Sequence, residues 1–117
     1  MLLVDDNIDL LDLYSLILKR NHYEKVDCAL NGEEAIKIFR ELNEKPDFLL
    51  LDYRMPRLNG IDAAKEILKM NSECVIIMMS ADTTVVEEAI RIGIKGFIKK
   101  PVEIPEFLRQ IKEILAK

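Results

Sequence analysis

Short apolar runs of the chain alternate with segments in which apolar residues recur every three or four positions. The runs occupy residues 1–4, 48–51, 75–79 and 94–98, and residues 25–30 alternate apolar with polar side chains. Runs of this length predict β-strands, and the unbroken apolar character of 48–51 and 75–79 is typical of parallel strands covered on both faces. The pattern therefore predicts five strands, each followed by a helix.

The helices are predicted from apolar spacing and from capping residues. Asn31 is the expected N-cap of the second helix and Gly93 the expected end of the fourth, which spans about residues 84–92. The third helix is expected over about 60–70, and the last begins near Pro105. The expected buried faces are Leu10, Leu13, Tyr14 and Ile17 in the first helix; Ala35, Ile36, Phe39 and Leu42 in the second; Ile61, Ala64, Ile67 and Leu68 in the third; and Phe107, Leu108, Ile111, Ile114 and Leu115 in the fifth.

The order of elements predicts one α/β domain. Five strand–helix units joined by right-handed crossovers give a doubly wound five-stranded parallel sheet with strand order 2-1-3-4-5. At 117 residues the chain has the usual size of one domain, and no linker or repeat divides residues 1–117.

Composition and charge narrow the class of protein. Hydrophobic residues make up 50% of the chain, charged residues 32%, and the net charge is −4, so nothing draws it electrostatically to nucleic acid. No apolar run is long enough to cross a membrane and no secretory signal precedes the first strand, so we expect a cytoplasmic protein. Cys28 and Cys74 lack metal-ligand spacing and are expected to be reduced core residues, and His22 is expected at the surface without a role.

Polar residues stand where four of the predicted strands end. Asp5 and Asp6 follow the first strand, Asp52 the third, Ser80 the fourth and Lys100 the fifth. The carboxyl ends of parallel strands meet at one edge of the sheet, where open α/β proteins bind their ligands. Clustered carboxylates repel one another unless a cation lies among them, and an all-oxygen cluster suits Mg²⁺. Because a lysine and a hydroxyl can hold an anion bound to the same metal, the set indicates a phosphoryl-transfer site.

Each of these residues also has an ordinary structural explanation when it is taken alone. A serine at a strand end is commonly a turn residue, a lysine before proline is commonly a solvated charge, and two aspartates before a helix place favourable negative charge at its N-terminus. The joint occurrence of all five at one sheet edge favours a functional site.

A series of short motifs follows the strand ends in a fixed order. These motifs are Val4-Asp5-Asp6, Leu50-Leu51-Asp52, Met55-Pro56, Gly60, Ser80-Ala81 and Lys100-Pro101. The series resembles the receiver domain of two-component response regulators, of the chemotaxis-regulator type, and it covers essentially the whole chain. The resemblance implies a flavodoxin-like (βα)5 fold.

The resemblance also implies a metal-dependent phosphoacceptor. It makes Asp52 the residue that is phosphorylated and Mg²⁺ the cofactor, with Mn²⁺ as a possible substitute. Asp5, Asp6 and Asp52 would bind the metal, Asp6 directly and Asp5 through water, and the backbone carbonyl of Arg54 would supply a further ligand.

Three positions are implied to act with the phosphoacceptor. Ser80 and Lys100 would each bind a phosphoryl oxygen, which completes a catalytic set with Asp52. Ser80 and Phe97 would form the switch, Phe97 turning inward as the phosphoryl group draws Ser80. The Lys100–Pro101 peptide would be cis, and Lys99 would be solvated.

The resemblance implies a signalling domain that assists its own phosphorylation and dephosphorylation, and not an enzyme. The phosphoryl donor would be a phosphohistidine on a sensor histidine kinase or a histidine phosphotransfer protein. The output would be a downstream protein target or a homodimer formed through the fourth helix, fifth strand and fifth helix, without direct nucleic-acid binding or membrane insertion. We favour a stand-alone receiver or phosphorelay carrier; the alternative is a receiver cut from a longer regulator or hybrid kinase.

Other classes with similar sheets fit the residues less well. Phosphatases of the haloacid-dehalogenase type carry a second aspartate two residues after the nucleophile, where this chain has Arg54. A flavodoxin-like electron carrier needs a hydroxyl-rich phosphate loop after the first strand, where Asp5-Asp6-Asn7 would repel phosphate. A receiver-like module that is never phosphorylated would normally lack one of the acidic or lysine positions.

Two sets of residues allow alternative roles. Leu11, Ser15 and Leu18 share one side of the first helix, where they either dock the kinase or are half-buried packing residues. Arg54 and Asp82 lie two residues past Asp52 and Ser80, at the mouth of the pocket. Arg54 either pairs with Asp82 or folds over the phosphoryl group, slowing its hydrolysis, or both side chains are independently solvated.

Overall fold

The computed structural model describes residues 1–46, 48–55 and 58–116, and it contains a five-stranded parallel sheet. The strands are β1 Leu2–Val4, β2 Asp27–Ala29, β3 Phe48–Asp52, β4 Val75–Ser80 and β5 Gly96–Lys99. They lie in the order β2-β1-β3-β4-β5, and every neighbouring pair is parallel. The predicted fold class and strand order are confirmed. Pro56 of the Met55-Pro56 motif lies outside the described residues.

Five helices connect and follow the strands. They are α1 Ile8–Arg20, α2 Gly32–Glu41, α3 Gly60–Met70, α4 Val86–Ile92 and α5 Ile104–Leu115, and a 3₁₀ turn at Thr83–Val85 leads into α4. Asn7, Asn31 and Asn59 cap α1, α2 and α3, each accepting a backbone N–H with its side-chain oxygen. Within the described part of the chain, no helix is both long enough and apolar enough to cross a membrane.

The core consists of two apolar layers, one on each face of the sheet. On one face, Leu49 and Leu51 of β3 pack with Phe39 of α2 and Ile67 of α3. On the other, Leu50 packs with residues of α1 and α5. Successive residues of β3 thus point into different layers, which explains the absence of alternation in residues 48–51. Each fully buried large side chain contributes roughly 1.5–3 kcal/mol, so both layers hold the strand ends in register.

The buried face of α1 confirms two of the four predicted residues, Tyr14 and Ile17, and is otherwise different. Leu11 and Leu18 are 4% and 0% exposed, whereas Leu13 is 41% exposed. The hypothesis that Leu11 and Leu18 form a docking surface is therefore wrong, and the packing alternative holds. The cause is the stack of Tyr14 on Phe107 of α5, with ring centroids 4.6 Å apart, which orients α1. A helix this rich in leucine has two apolar stripes, and packing against α5 determines which leucines are buried.

Smaller corrections concern the edge of the sheet. Cys74 is buried, and burial raises the pKa of its thiol to about 11, but Cys28 is exposed on the edge strand β2, so its prediction as a core residue is wrong. Both thiols are free. On β2 the buried residue is Ala29 and not its neighbours, because β2 has a neighbouring strand on one side only. β5 begins at Gly96, two residues later than expected, and Ile94 is buried in the loop before it.

His22, at the end of α1, adopts a backbone conformation that is sterically unfavourable for any residue with a Cβ atom. Its φ is 73°, in the left-handed region, and it follows the C-cap Asn21. The backbone N–H of Tyr23 donates to the carbonyl of Leu18 at 3.0 Å, so the closed turn holds His22 in this conformation.

His22→Gly is expected to stabilise the protein. Glycine adopts positive φ without steric cost, and this gain outweighs the extra entropy of the unfolded chain, giving roughly 0.5–1 kcal/mol. Thermal unfolding followed by circular dichroism measures the change. His22→Ala is the matched control because it removes the imidazole but keeps the Cβ. Equal stabilisation by both variants would attribute the effect to the imidazole and contradict the backbone explanation.

Candidate functional site

The carboxyl edge of the sheet brings four of the strand-end residues together. Asp5 directly follows β1, Asp52 and Ser80 end β3 and β4, and Lys100 directly follows β5. The pairing of Asp52 with Met79 and of Ser80 with Lys99 aligns these ends. Parallel pairing therefore brings residues up to 95 positions apart in sequence into direct contact.

Three carboxylates form an acidic cluster at this edge. One oxygen from each of Asp5, Asp6 and Asp52 lies within 4.8 Å of the others. Asp5 and Asp52 are buried, whereas Asp6 is exposed. Asp5 Oδ1 accepts the backbone N–H of Asn7 at 2.9 Å, which leaves its other oxygen directed to the site. Three carboxylate oxygens at this separation form a donor set that suits a hard divalent cation such as Mg²⁺.

Lys100 supplies positive charge between two of these carboxylates. Its ammonium donates to Asp52 Oδ1 at 2.9 Å and to Asp5 Oδ2 at 3.2 Å. Burial favours the neutral amine, but the hydrogen bond and charge of Asp52, followed by those of Asp5, hold the pKa of Lys100 above its usual value. Lys100 is therefore a charged donor at the floor of the site. The neighbouring Lys99 is exposed, and the Lys100–Pro101 peptide is cis.

The surroundings of the Asp52 carboxyl disfavour its ionised form. Burial raises its pKa, the hydrogen bond and charge of Lys100 lower it, and repulsion from Asp5 and Asp6 raises it again, with a net increase. One lysine does not balance three carboxylates. A second cation among the oxygens would favour the ionised form of all three.

Ser80 adjoins Lys100 at the sheet edge, and Phe97 lies in β5, three residues before Lys100. Ser80 is buried, and its Oγ accepts the backbone N–H of Asp82 at 2.9 Å. Its carbonyl accepts the backbone N–H of Lys100, also at 2.9 Å. Phe97 is half-buried and packs against the α2–α3 layer of the core. Ser80 is thus joined to the end of β5 through the backbone, whereas Phe97 pairs in register with Met78.

Arg54 and Asp82 form an ion pair at the mouth of the site. Arg54 Nη2 lies 3.5 Å from Asp82 Oδ2, with side-chain exposures of 76% and 26%. Hydrogen bonds from the side chain and backbone of Thr84 lower the pKa of Asp82, and Arg54 adds a smaller decrease. The geometry favours the paired alternative over independent solvation. Its effect on a phosphoryl group stays a prediction.

Sequence reasoning missed the roles of Gly60 and Tyr14. A Cβ at Gly60 would lie 2.6 Å from the carbonyl oxygen of Asp52, so only glycine lets α3 start this close to β3. Tyr14 lines a small cavity of about 10 Å³ beneath Asp5 and Asp52, and burial raises the pKa of its hydroxyl. The glycine after the Asp52 loop is visible in the sequence, and the spacing of α1 predicts that Tyr14 is buried, but it does not predict that Tyr14 lies beneath Asp5 and Asp52.

A larger cleft lies away from the acidic cluster. It has a volume of about 660 Å³ and is lined by residues that include Tyr23, Lys25, Glu44 and Phe48. None of the five strand-end residues contributes to it, and in its ion pair, Lys25 with Glu44, both side chains are 82% exposed. This cleft is therefore separate from the acidic cluster.

Comparison with known proteins identifies the family. The family model for the response regulator receiver domain matches residues 1–112, and the chain belongs to this family. It is 37% identical over 116 residues to the chemotaxis protein CheY of Thermotoga maritima, covering 97% of this chain and 95% of that protein. It is also 37% identical to a transcriptional regulatory protein CpxR homolog of Haemophilus influenzae, of which it covers 49%, and 98% of this chain is aligned.

Solved structures show the same fold. The CheY in the CheX–CheY–BeF3–Mg complex of Borrelia burgdorferi superposes with a TM-score of 0.91 at 27% identity, covering 99% of this chain and 88% of that chain. A receiver domain protein of Methanospirillum hungatei gives 0.88 at 27% identity, covering 98% and 91%. The chain is a receiver domain of the kind used in two-component signalling, a family in which phosphoryl acceptance is general.

Asp52→Asn is expected to raise thermal stability at pH 7 in the presence of EDTA. Folding raises the pKa of the Asp52 carboxyl, so the folded state binds more protons than the unfolded state. Stability therefore falls as pH rises from the ordinary aspartate pKa through the folded pKa. Asparagine does not ionise, so the variant avoids this pH-dependent fall in stability, while Lys100 keeps Asp5 as a partner at 3.2 Å. The midpoint of thermal unfolding should rise by on the order of a few °C at pH 7 and should not change at about pH 3.

Asp62→Asn is the matched control, since Asp62 is an exposed aspartate in the first turn of α3. It changes the net charge equally but leaves the acidic cluster intact. An equal rise in both variants would mean that net charge, and not burial of Asp52, sets the difference.

Proposed function

We propose that this chain accepts a phosphoryl group on Asp52 from a phosphohistidine of a sensor histidine kinase or a histidine phosphotransfer protein. The observation that carries the proposal is the position of Asp52. Its buried carboxylate accepts a hydrogen bond from Lys100 at 2.9 Å and lies within 4.8 Å of oxygens of Asp5 and Asp6. In the receiver family this arrangement serves phosphoryl transfer.

The transfer is a displacement at phosphorus. An oxygen of the Asp52 carboxylate forms a bond to phosphorus as the bond from phosphorus to the donor imidazole nitrogen breaks, and the electron pair stays on the imidazole. Charge spreads over the three other phosphoryl oxygens, so catalysis depends mainly on positioning and electrostatics.

The acidic cluster fits Mg²⁺. Asp6, Asp52 and the backbone carbonyl of Arg54 would hold the ion, with Asp5 acting through water. When bound, the metal supplies positive charge that offsets the carboxylates and the incoming phosphoryl oxygens. The Borrelia CheY complex contains Mg²⁺ and the phosphoryl mimic BeF3, which supports the same use here. Mn²⁺ has similar ligand preferences and is the expected substitute.

Lys100 and Ser80 bind the phosphoryl oxygens in this proposal. The Lys100 ammonium already contacts Asp52 Oδ1, so a short movement brings it to an oxygen of a group bonded there. The Ser80 hydroxyl accepts a bond from the Asp82 backbone, which leaves its own O–H available to donate. Both residues hold the product without leaving the sheet edge.

The response passes to the surface through Phe97. Movement of Ser80 towards the phosphoryl group leaves space beside β4 that the half-buried Phe97 ring fills. The affected surface comprises α4, β5 and α5, where Ile90 is 65% exposed. This face binds a downstream protein or a second copy of the chain.

We favour a stand-alone receiver or a phosphorelay carrier. The Thermotoga relative is covered over 95% of its length, which supports this setting, whereas the Haemophilus relative, covered over 49%, represents the alternative of a receiver within a longer regulator. The length of the full gene product distinguishes the two.

Asp52→Ala is expected to abolish labelling by acetyl phosphate. Mass spectrometry should show one phosphoryl group on the wild type with Mg²⁺ and none on the variant, because the nucleophile is gone. Asp6→Ala should chiefly weaken Mg²⁺ binding, and its labelling should recover at higher Mg²⁺. Asp9→Ala is the control, since Asp9 is an exposed aspartate in the first turn of α1. Labelling of the Asp52→Ala protein at wild-type yield would reject the proposal.

BeF3 with Mg²⁺ is expected to shift the amide resonances of Ser80, Phe97 and the α4-β5-α5 face. Phenylalanine has no hydroxyl that hydration could hold outward, so Phe97 should turn inward readily. β2 lies at the far edge of the sheet and serves as the internal reference, with unchanged amides expected. A shift at Ser80 without one at Phe97 and α4 would contradict this route of the switch.

A further inference from the structure

Tyr14 brings a hydroxyl into the apolar layer between the sheet and helices α1 and α5. Among the buried residues of this layer that the structure describes, Tyr14 alone carries a hydroxyl. It is 8% exposed, and its ring stacks on Phe107 of α5 with centroids 4.6 Å apart and an interplanar angle of 18°. A phenylalanine or leucine would also supply apolar packing, so the buried hydroxyl needs a separate explanation.

The hydroxyl of Tyr14 lies in the field of the charged site. Tyr14 lines the cavity of about 10 Å³ together with Asp5 and Asp52. Burial is the largest cause of the raised pKa of the hydroxyl; the ammonium of Lys100 opposes this increase, and Asp5 and Asp52 add to it. The phenol is therefore protonated at neutral pH, and the charge that acts on it most strongly is that of Lys100.

Lys100 has a long, flexible side chain, and its ammonium acts only where it is held. Two of its three N–H groups donate to Asp52 Oδ1 at 2.9 Å and to Asp5 Oδ2 at 3.2 Å. Because the Lys100 side chain is only 21% exposed, its third N–H lies in surroundings that are largely protein. An unpaired charged donor is costly in such surroundings, and a tyrosine hydroxyl offers it lone pairs.

We propose that Tyr14 is a positioning residue for phosphoryl transfer, whose hydroxyl accepts a hydrogen bond from Lys100 and holds the ammonium while its bond to Asp52 is exchanged for one to a phosphoryl oxygen. The inference rests on the proposed function, because it requires a phosphoryl group on Asp52. Tyr14 touches neither this group nor the metal, and it acts through Lys100. A bond that persists through the exchange limits the movement of the ammonium, and the stack on Phe107 fixes the place of the hydroxyl.

Two conservative substitutions separate this role from packing. Tyr14→Phe removes the hydroxyl and keeps the ring that stacks on Phe107. Tyr23→Phe is the matched control: Tyr23 packs against the same apolar layer and contacts the ring of Phe48 edge-on, but it lines the cleft that is separate from the acidic cluster. Circular dichroism unfolding establishes that both variants are folded.

The decisive measurement is the rate of labelling by acetyl phosphate at saturating Mg²⁺, followed by mass spectrometry. Tyr14→Phe should slow labelling about three- to tenfold, the loss expected for one hydrogen bond, and should change the Mg²⁺ dissociation constant by less than about twofold, since the metal ligands are untouched. Tyr23→Phe should match the wild type in both. Labelling of Tyr14→Phe at the wild-type rate overturns the proposal. So does a parallel loss of Mg²⁺ affinity, which would indicate a general loosening of the site.

A second readout reports on Lys100 without metal or phosphate. The two Hε protons of Lys100 should have separate chemical shifts in the wild type, because a held ammonium keeps the side chain in one rotamer. The two shifts should move together in Tyr14→Phe and stay separate in Tyr23→Phe. Phe107→Leu removes the support of the hydroxyl and should also bring them together. Wild-type separation in Tyr14→Phe overturns the proposal.

Failure of the proposed function is distinguishable from failure of this inference. In the first case the wild type acquires no phosphoryl group on Asp52 with acetyl phosphate and Mg²⁺, and both proposals fall. In the second case the wild type is labelled, but Tyr14→Phe is labelled equally fast and its Lys100 Hε shifts stay as far apart as in the wild type.

Discussion

The buried ammonium of Lys100 between Asp52 and Asp5 is the interaction on which the rest of the site depends. Three carboxylates at one sheet edge repel one another, and two of them are removed from water. Lys100 offsets part of this charge through bonds of 2.9 and 3.2 Å, and its own pKa rises because of them. The remaining imbalance keeps the pKa of Asp52 above its usual value. The folded chain is therefore destabilised at the place where a metal and a phosphoryl group would bind, which is a common relation between stability and function.

The parallel sheet makes this cluster possible. Because parallel strands end at the same edge, residues from β1, β3 and the end of β5 meet although they are far apart in sequence. Two apolar layers fix the register of these ends, and Gly60 lets α3 start against the backbone of Asp52. The sheet and its two apolar layers thus hold Asp5, Asp52 and Lys100 together at one edge.

Charges at the pocket mouth have a different character. The pair of Arg54 with Asp82 is exposed and long, whereas the contacts of Lys100 are short and largely buried. Asp82 also contacts Ser80 and the turn before α4. Solvent screening therefore weakens the attraction in the exposed pair more than in the contacts of Lys100.

The sequence by itself determined the strand–helix order, the parallel sheet and the strand-end residues, because unbroken apolar runs and polar strand ends are local patterns. It also indicated Asn31 as a cap, since a cap acts within one turn. Only the tertiary structure decided which stripe of α1 is buried, because that depends on the stack of Tyr14 with Phe107 of α5. The exposure of Cys28 follows from the position of β2 at the edge. The partners of Lys100 and Arg54 likewise depend on distances between loops that no local pattern encodes.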